Sequence, residues 1–121
     1  GMVTKRKRQE LYGVVSATTI IGESVVDREG EKLGKVSELM VDAGLGHLAY
    51  AILDFEGKYF AVPWQAFEFS NTEHKLILNV DRQRFKDAPG FDKDGDWPDF
   101  ANQAWADEVQ RFYVADPLRG A

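Results

Sequence analysis

Three carboxylates at alternate positions, Asp92, Asp94 and Asp96, are the residues whose types and spacing could most directly bind a ligand. This alternation matches the opening of an EF-hand calcium loop, which uses oxygen ligands at its first, third and fifth positions. The pattern then fails, because Trp97 stands where the sixth position needs glycine and Gln103 where the twelfth needs glutamate. The sequence favours an acidic surface loop and leaves weak Ca²⁺ or Mg²⁺ binding as an alternative.

No catalytic motif is present in the sequence. The chain has no cysteine and two histidines, His47 and His74, and it lacks the HExxH and nucleophile-elbow signatures. Gly30 and Gly34-Lys35 do not have the spacing of a phosphate-binding loop, and Val36 stands where that loop needs a hydroxyl. We therefore predict a protein that is not an enzyme, with no cofactor and no established metal site.

The charge of the chain is unevenly distributed. The formal net charge is −5, and the four positive charges of Lys5, Arg6, Lys7 and Arg8 leave the rest of the chain near −9. The rest of the chain is acidic enough to repel the phosphates of nucleic acids. The sequence favours a disordered, solvated N-terminal tail for this run. Contact with nucleic acid or an anionic membrane surface through the run is the alternative, and such contact is not expected elsewhere in the chain.

Length and composition indicate one soluble globular domain. The chain has 121 residues, of which 44% are hydrophobic, and no apolar run approaches the roughly 18 residues that a membrane span needs. No signal peptide is visible, and the lack of cysteine fits a reducing compartment. We predict a cytoplasmic protein.

Hydrophobic alternation and turn residues predict a series of short strands. We place them at Ser24–Asp27, Lys32–Asp42, His47–Phe55, Lys58–Val62, Glu68–Ser70 and Lys75–Val80. Gly34 predicts a bend or bulge in the longest strand, and Pro63 ends the fourth because proline cannot donate to a sheet ladder. Helices are predicted at Arg82–Asp87, capped by Asp81, and at Asp99–Tyr113. The pattern indicates a mainly β protein, a small antiparallel barrel of about five or six strands with a C-terminal helical extension.

The order and spacing of several sequence pieces resemble the PRC-barrel domain family. These pieces are Ile21-Gly22, Gly30 with Leu33-Gly34-Lys35-Val36, Val41-Asp42, Ala49-Tyr50-Ala51-Ile52-Leu53 and Phe60-Ala61-Val62-Pro63-Trp64. Ala88-Pro89-Gly90-Phe91 and Trp97-Pro98 are similar to the tail of stand-alone bacterial members. The resulting division is a flexible leader with the basic run at 1–15, a PRC-barrel domain at 16–90, and an aromatic-rich helical extension at 91–121.

The resemblance implies an adaptor role. The family is named after the photosynthetic reaction centre H subunit, whose cytoplasmic domain supports assembly and proton delivery. It also includes the C-terminal half of the ribosome maturation factor RimM, which docks on a ribosomal protein. The sequence shows neither the membrane helix of the first nor the N-terminal domain of the second, so neither specific function is transferred. The sequence favours a turn-capping role for Asp54, and analogy with the first protein makes a proton-relay carboxylate the alternative.

The C-terminal extension carries the candidate interface residues. They are Phe91, Trp97, Phe100, Trp105, Val109, Phe112 and Tyr113, and in the last helix Ala101, Ala104, Trp105, Val109 and Phe112 recur at helical spacing. Because each buried large apolar side chain contributes about 1.5–3 kcal/mol, this segment must dock on a surface. That surface is either its own barrel or a second protomer.

From these observations we predict a non-catalytic interaction module. It is expected to be a homodimer that supports a protein assembly through a partner that the sequence does not name. A factor associated with the ribosome or RNA processing is the first alternative, and it depends on the basic run Lys5 to Arg8. A protein that binds a small ligand or a cation is the second.

Overall fold

Seven strands form one continuous sheet in the computed structural model, which describes residues 13–70, 73 and 75–114. The strands are β1 (Ser24–Val26), β2 (Lys32–Asp42), β3 (His47–Phe55), β4 (Lys58–Pro63), β5 (Phe67–Ser70), β6 (Lys75–Leu78) and β7 (Phe91–Asp92). The helices are α1 (Ala17–Ile20), α2 (Arg82–Phe85) and α3 (Gln103–Tyr113), with a 3-10 turn at Trp64–Ala66. The order across the sheet is β5-β6-β1-β2-β3-β4-β7. The predicted mainly β fold with a C-terminal helix is confirmed.

The sheet differs from the predicted antiparallel barrel in three respects. It has seven strands because Phe91–Asp92 adds a short strand to the edge of β4. The pair β1–β6 is parallel, because β6 reaches β1 from a distant part of the chain and no hairpin turn imposes an antiparallel direction. Among the described strands, β5 and β7 lie at opposite edges of the sheet, so strand pairing does not close the barrel.

Gly34 produces the bend that the sequence predicts in β2. Its φ of +95° lies in the region that favours glycine, and the pairing of β2 with β1 shifts register at this point. A Cβ at this position would collide with the backbone carbonyl oxygen of Asp54 on β3. The glycine is therefore required both by backbone conformation and by the close approach of the neighbouring strand.

The core lies on one face of the central strands and extends into α3. Leu53 on β3 pairs with Phe60 on β4, and both belong to the core cluster with the fully buried Phe85 of α2. The Phe85 ring lies 4.7 Å from that of Phe60. Val109 of α3 belongs to the same cluster and is 1% exposed, so the C-terminal helix completes the core.

The last helix begins four residues later than predicted. The Asn102 side chain accepts a hydrogen bond from the backbone N–H of Trp105 at 3.0 Å and caps α3, whereas the Asp99 side chain accepts from the N–H of Ala101 in a separate turn. Ala101 therefore precedes the helix, and the buried stripe is shorter than predicted. At α2 the predicted cap is confirmed, since the Asp81 side chain accepts from the Arg84 N–H, although that helix ends at Phe85. None of the helices in the described ranges is long and apolar enough to span a lipid bilayer.

Candidate functional site

The outer face of β3 and β4 is covered by the segment that follows α2. Side chains alternate along a strand, so Tyr50, Ile52 and Tyr59 lie on the face opposite the core residue Leu53. Ile52 is nevertheless fully buried. The Tyr50 ring lies 5.4 Å from the ring of Trp105. The C-terminal segment thus packs on the barrel of its own chain.

Three aromatic rings form what we call the Trp97 surface: Tyr59, Phe91 and Trp97. The Trp97 ring lies 5.1 Å from Phe91 and 5.8 Å from Tyr59, and the Phe91 and Tyr59 rings are 5.8 Å apart. Trp97 is still 40% exposed. It is the most exposed of the seven candidate interface residues and presents an aromatic side chain to solvent on an ordered aromatic base.

The Trp97 surface is fixed to the sheet at two points. Phe91 pairs with Tyr59 through the β7–β4 ladder. Two residues later, the Lys93 ammonium donates to Asp54 Oδ2 at 2.7 Å and lies 5.5 Å from the centre of the Tyr59 ring. The hydrogen bond to Asp54 favours the charged amine and raises the pKa of Lys93. Among the described residues, the Asp54 carboxylate therefore accepts from the Lys93 side chain and not from a backbone N–H group of a turn.

A groove of about 200 Å³ adjoins the Trp97 surface, and we call it the Pro89 groove. It is lined by Ala61, Pro89, Phe91, Asp96, Pro98 and Trp105, and Phe91 belongs to both features. Gly90 borders the groove as well, and a Cβ there would lie 2.8 Å from Cε1 of Phe60. The groove has the largely apolar walls of a docking site for a side chain.

The three alternate carboxylates form an acidic rim beside this groove. Asp92, Asp94 and Asp96 are exposed, and within the described ranges their side chains have no hydrogen bond or ion pair. No group of three or more potential ligand side chains in those ranges is placed to hold a metal ion. The turn itself is closed by the backbone bond from Gly95 N–H to Asp92 O at 3.1 Å. Cation binding by these residues stays a prediction without a preformed cage to support it.

The remaining candidate interface residues fall into two other groups. Phe100 and Trp105 are half-buried against Tyr50. Phe112 is half-buried below the Arg84 guanidinium, which lies 4.4 Å from its ring centre.

Val109 and Tyr113 are buried in the core of their own chain. The Tyr113 hydroxyl is buried and has no hydrogen-bond partner in the described part of the chain, and burial raises the pKa of that phenol. Both residues contribute to folding, and neither is available to a partner in this structure.

A second groove, of about 350 Å³, lies at the end of β3 and is lined by Lys32, Lys35, Asp54, Phe55, Glu56 and Arg82. The Arg82 guanidinium donates to Glu56 at 2.8 Å and to the Lys32 carbonyl oxygen at 3.1 Å. It also lies 5.2 Å from the Phe55 ring centre. Since Arg82 is held by contacts within the chain, this groove is weaker as a candidate site than the Pro89 groove.

Asp27 is the buried polar residue that sequence reasoning missed. It is 3% exposed, and its Oδ1 accepts from the backbone N–H groups of Glu29 at 2.9 Å and Glu31 at 2.8 Å. Its Oδ2 accepts from the Arg82 N–H at 3.3 Å. An aspartate three residues before Gly30 is a turn signal in the sequence, but only the fold shows that Asp27 also joins this turn to the start of α2.

Two of the predicted features cannot be placed. The basic run Lys5 to Arg8 and His74 lie outside the described residues. His47 is exposed, and its Nδ1 lies 3.0 Å from the Leu48 carbonyl oxygen.

The comparison with known proteins agrees with this architecture. A family model described as the PRC-barrel domain matches residues 13–84, which is more than half of the chain, whereas a comparison with curated proteins gives no significant match. The matched range ends before β7, so Phe91, Trp97 and α3 lie beyond it. The resemblance inferred from the sequence is confirmed, and this chain belongs to the PRC-barrel domain family.

Proposed function

We propose that this chain is a non-catalytic protein-binding module of the cytoplasm that forms a homodimer through the Trp97 surface and supports a protein assembly. The observation that carries the proposal is the position of Trp97, which is 40% exposed although two other rings pack against it. Tryptophan and tyrosine are enriched at protein interfaces and among the residues that dominate their binding energy.

The ordered base of the Trp97 surface favours binding. The β7–β4 ladder and the Lys93–Asp54 ion pair hold the loop in place before any partner arrives. Binding then immobilises few additional groups, which lowers the entropic cost of association. The Pro89 groove beside Trp97 offers a partner side chain an apolar pocket.

Sedimentation of the wild type and of Trp97→Ala tests this proposal. We expect a wild-type dimer at micromolar concentration. Loss of a residue at the centre of an interface costs about 2 kcal/mol or more, so we expect the variant to dissociate at least about 30-fold more readily. Leu45→Ala is the matched control, since Leu45 is 71% exposed on the β2–β3 turn, and its dimer should be unchanged.

Two results would contradict the proposal in different ways. A wild type that remains monomeric at high micromolar concentration excludes the homodimer. If the wild type dimerises and the Trp97→Ala variant dimerises equally well, the homodimer stands but the Trp97 surface is excluded as the dimer interface.

A further inference from the structure

The acidic rim beside the Trp97 surface is complementary in charge to one segment of this same chain. Asp92, Asp94 and Asp96 have no side-chain ion pair in the described ranges, and the one cation among them, Lys93, is bonded to Asp54. The N-terminal run of Lys5 to Arg8 carries four consecutive positive charges in a chain that is otherwise strongly acidic. We propose that the Pro89 groove and acidic rim of one protomer bind the basic run of a second copy of this chain.

The chemistry of the surface fits a basic peptide better than other ligands. An exposed tryptophan is the strongest aromatic acceptor for a lysine or arginine cation. Cations already lie over aromatic rings in the described chain: Lys93 is 5.5 Å from the Tyr59 ring centre, Arg84 is 4.4 Å from that of Phe112, and Arg82 is 5.2 Å from that of Phe55. The carboxylates of the rim attract the basic run and repel nucleic-acid phosphates.

The length of the N-terminal segment allows such an exchange between protomers. The basic run lies five to eight residues before Gly13, the first described residue, so at about 3.3–3.6 Å per residue it can extend about 17–29 Å from that point. In a two-fold dimer each protomer would donate its run and accept the run of its partner, which closes the assembly. This inference rests on the proposed homodimer and names the contact that holds it together.

A pair of charge-reversed chains tests the exchange. One chain carries Asp92→Lys, Asp94→Lys and Asp96→Lys, and the other carries Lys5→Glu, Arg6→Glu, Lys7→Glu and Arg8→Glu. Each variant alone opposes like charges at the contact, so we expect its dimer to weaken at least tenfold in sedimentation velocity. An equimolar mixture restores both contacts, because each rim then meets a run of opposite charge, and we expect heterodimers of wild-type mass.

The control shifts net charge equally at a distance from the rim. Glu29→Lys, Glu31→Lys and Glu73→Lys change three exposed acids, of which Glu73 lies on the β5–β6 turn at the sheet edge opposite β7, and they should leave the dimer intact. The wild-type dimer should also weaken as salt rises, because exposed charge contacts are screened.

The outcomes separate this inference from the function on which it rests. If the wild type dimerises and both variants dimerise equally well, or if the mixture of weakened variants stays monomeric, the exchange is refuted while the homodimer stands. If the wild type is monomeric throughout, the proposed homodimer itself is refuted, and the exchange with it.

Discussion

Truncating Val109 to alanine tests whether the C-terminal helix and the sheet form one cooperative unit. Val109 is 1% exposed and belongs to the same core cluster as Phe60 and Phe85. Its replacement removes two methyl groups, worth about 1.6 kcal/mol in transfer free energy, and the cavity left behind adds to this loss. Alanine gains about 0.5 kcal/mol in helix propensity over valine. We expect a net loss of about 1.5–2.5 kcal/mol in the free energy of unfolding.

Urea unfolding of Val109→Ala, at one fixed protein concentration, measures this loss. Far-UV circular dichroism and tryptophan fluorescence should give coincident transitions, because Trp64 beside the sheet and Trp105 on α3 report on one unit. Gln110→Ala is the control, since Gln110 is an exposed neighbour on the same helix. A loss no greater than that of the control, or a separate early transition of α3 with the sheet unaffected, would refute the reasoning.

Three further substitutions test local features. Gly34→Ala should lower the free energy of unfolding, measured with urea, by at least about 2 kcal/mol, because it adds a backbone collision to the strain of a positive φ. Gly57→Ala is the control, since Gly57 has a positive φ without the collision, and an equal loss in both variants would contradict the role of the collision. Asp27→Ala should cost about 2–4 kcal/mol by the same assay, since three backbone N–H groups lose a charged acceptor, and a cost below about 1 kcal/mol would count against it. Tyr113→Phe should be neutral or slightly stabilising near pH 7. Burial raises the pKa of Tyr113, so the free energy of unfolding of the wild type should fall as pH rises past about 10, and that of the phenylalanine variant should fall less. If the two proteins lose stability identically at alkaline pH, the result would argue against burial of the hydroxyl.

The strands were predictable where neighbouring residues determine them. β2 and β3 have the predicted bounds, because turn residues flank each strand and Gly34 marks the bulge. The parallel contact of β1 with β6 was not predictable in this way, since it joins Val25 to Leu76, which is 51 residues further along the chain. The start of α3 was missed because Asp99 and Asn102 are both good caps, and only the fold assigns each its turn.

The sequence identified the residue types of the candidate site, but it did not predict which of these side chains are exposed. The aromatic segment from Phe91 to Tyr113 could be named from its composition. Which of its residues enter the core depends on packing, which buries Val109 and leaves Trp97 open to solvent. The burial of Asp27 was missed for the same reason, since its third hydrogen bond comes from Arg82, 55 residues away.

Hydroxyl-radical footprinting of the Trp97 side chain, below and above the concentration at which the chain dimerises, tests the central claim most directly. The account predicts that Trp97, 40% exposed in the monomer, becomes protected in the dimer while Leu45 on the β2–β3 turn keeps its reactivity. Equal labelling of Trp97 in both states, or protection of Leu45 instead, would contradict it.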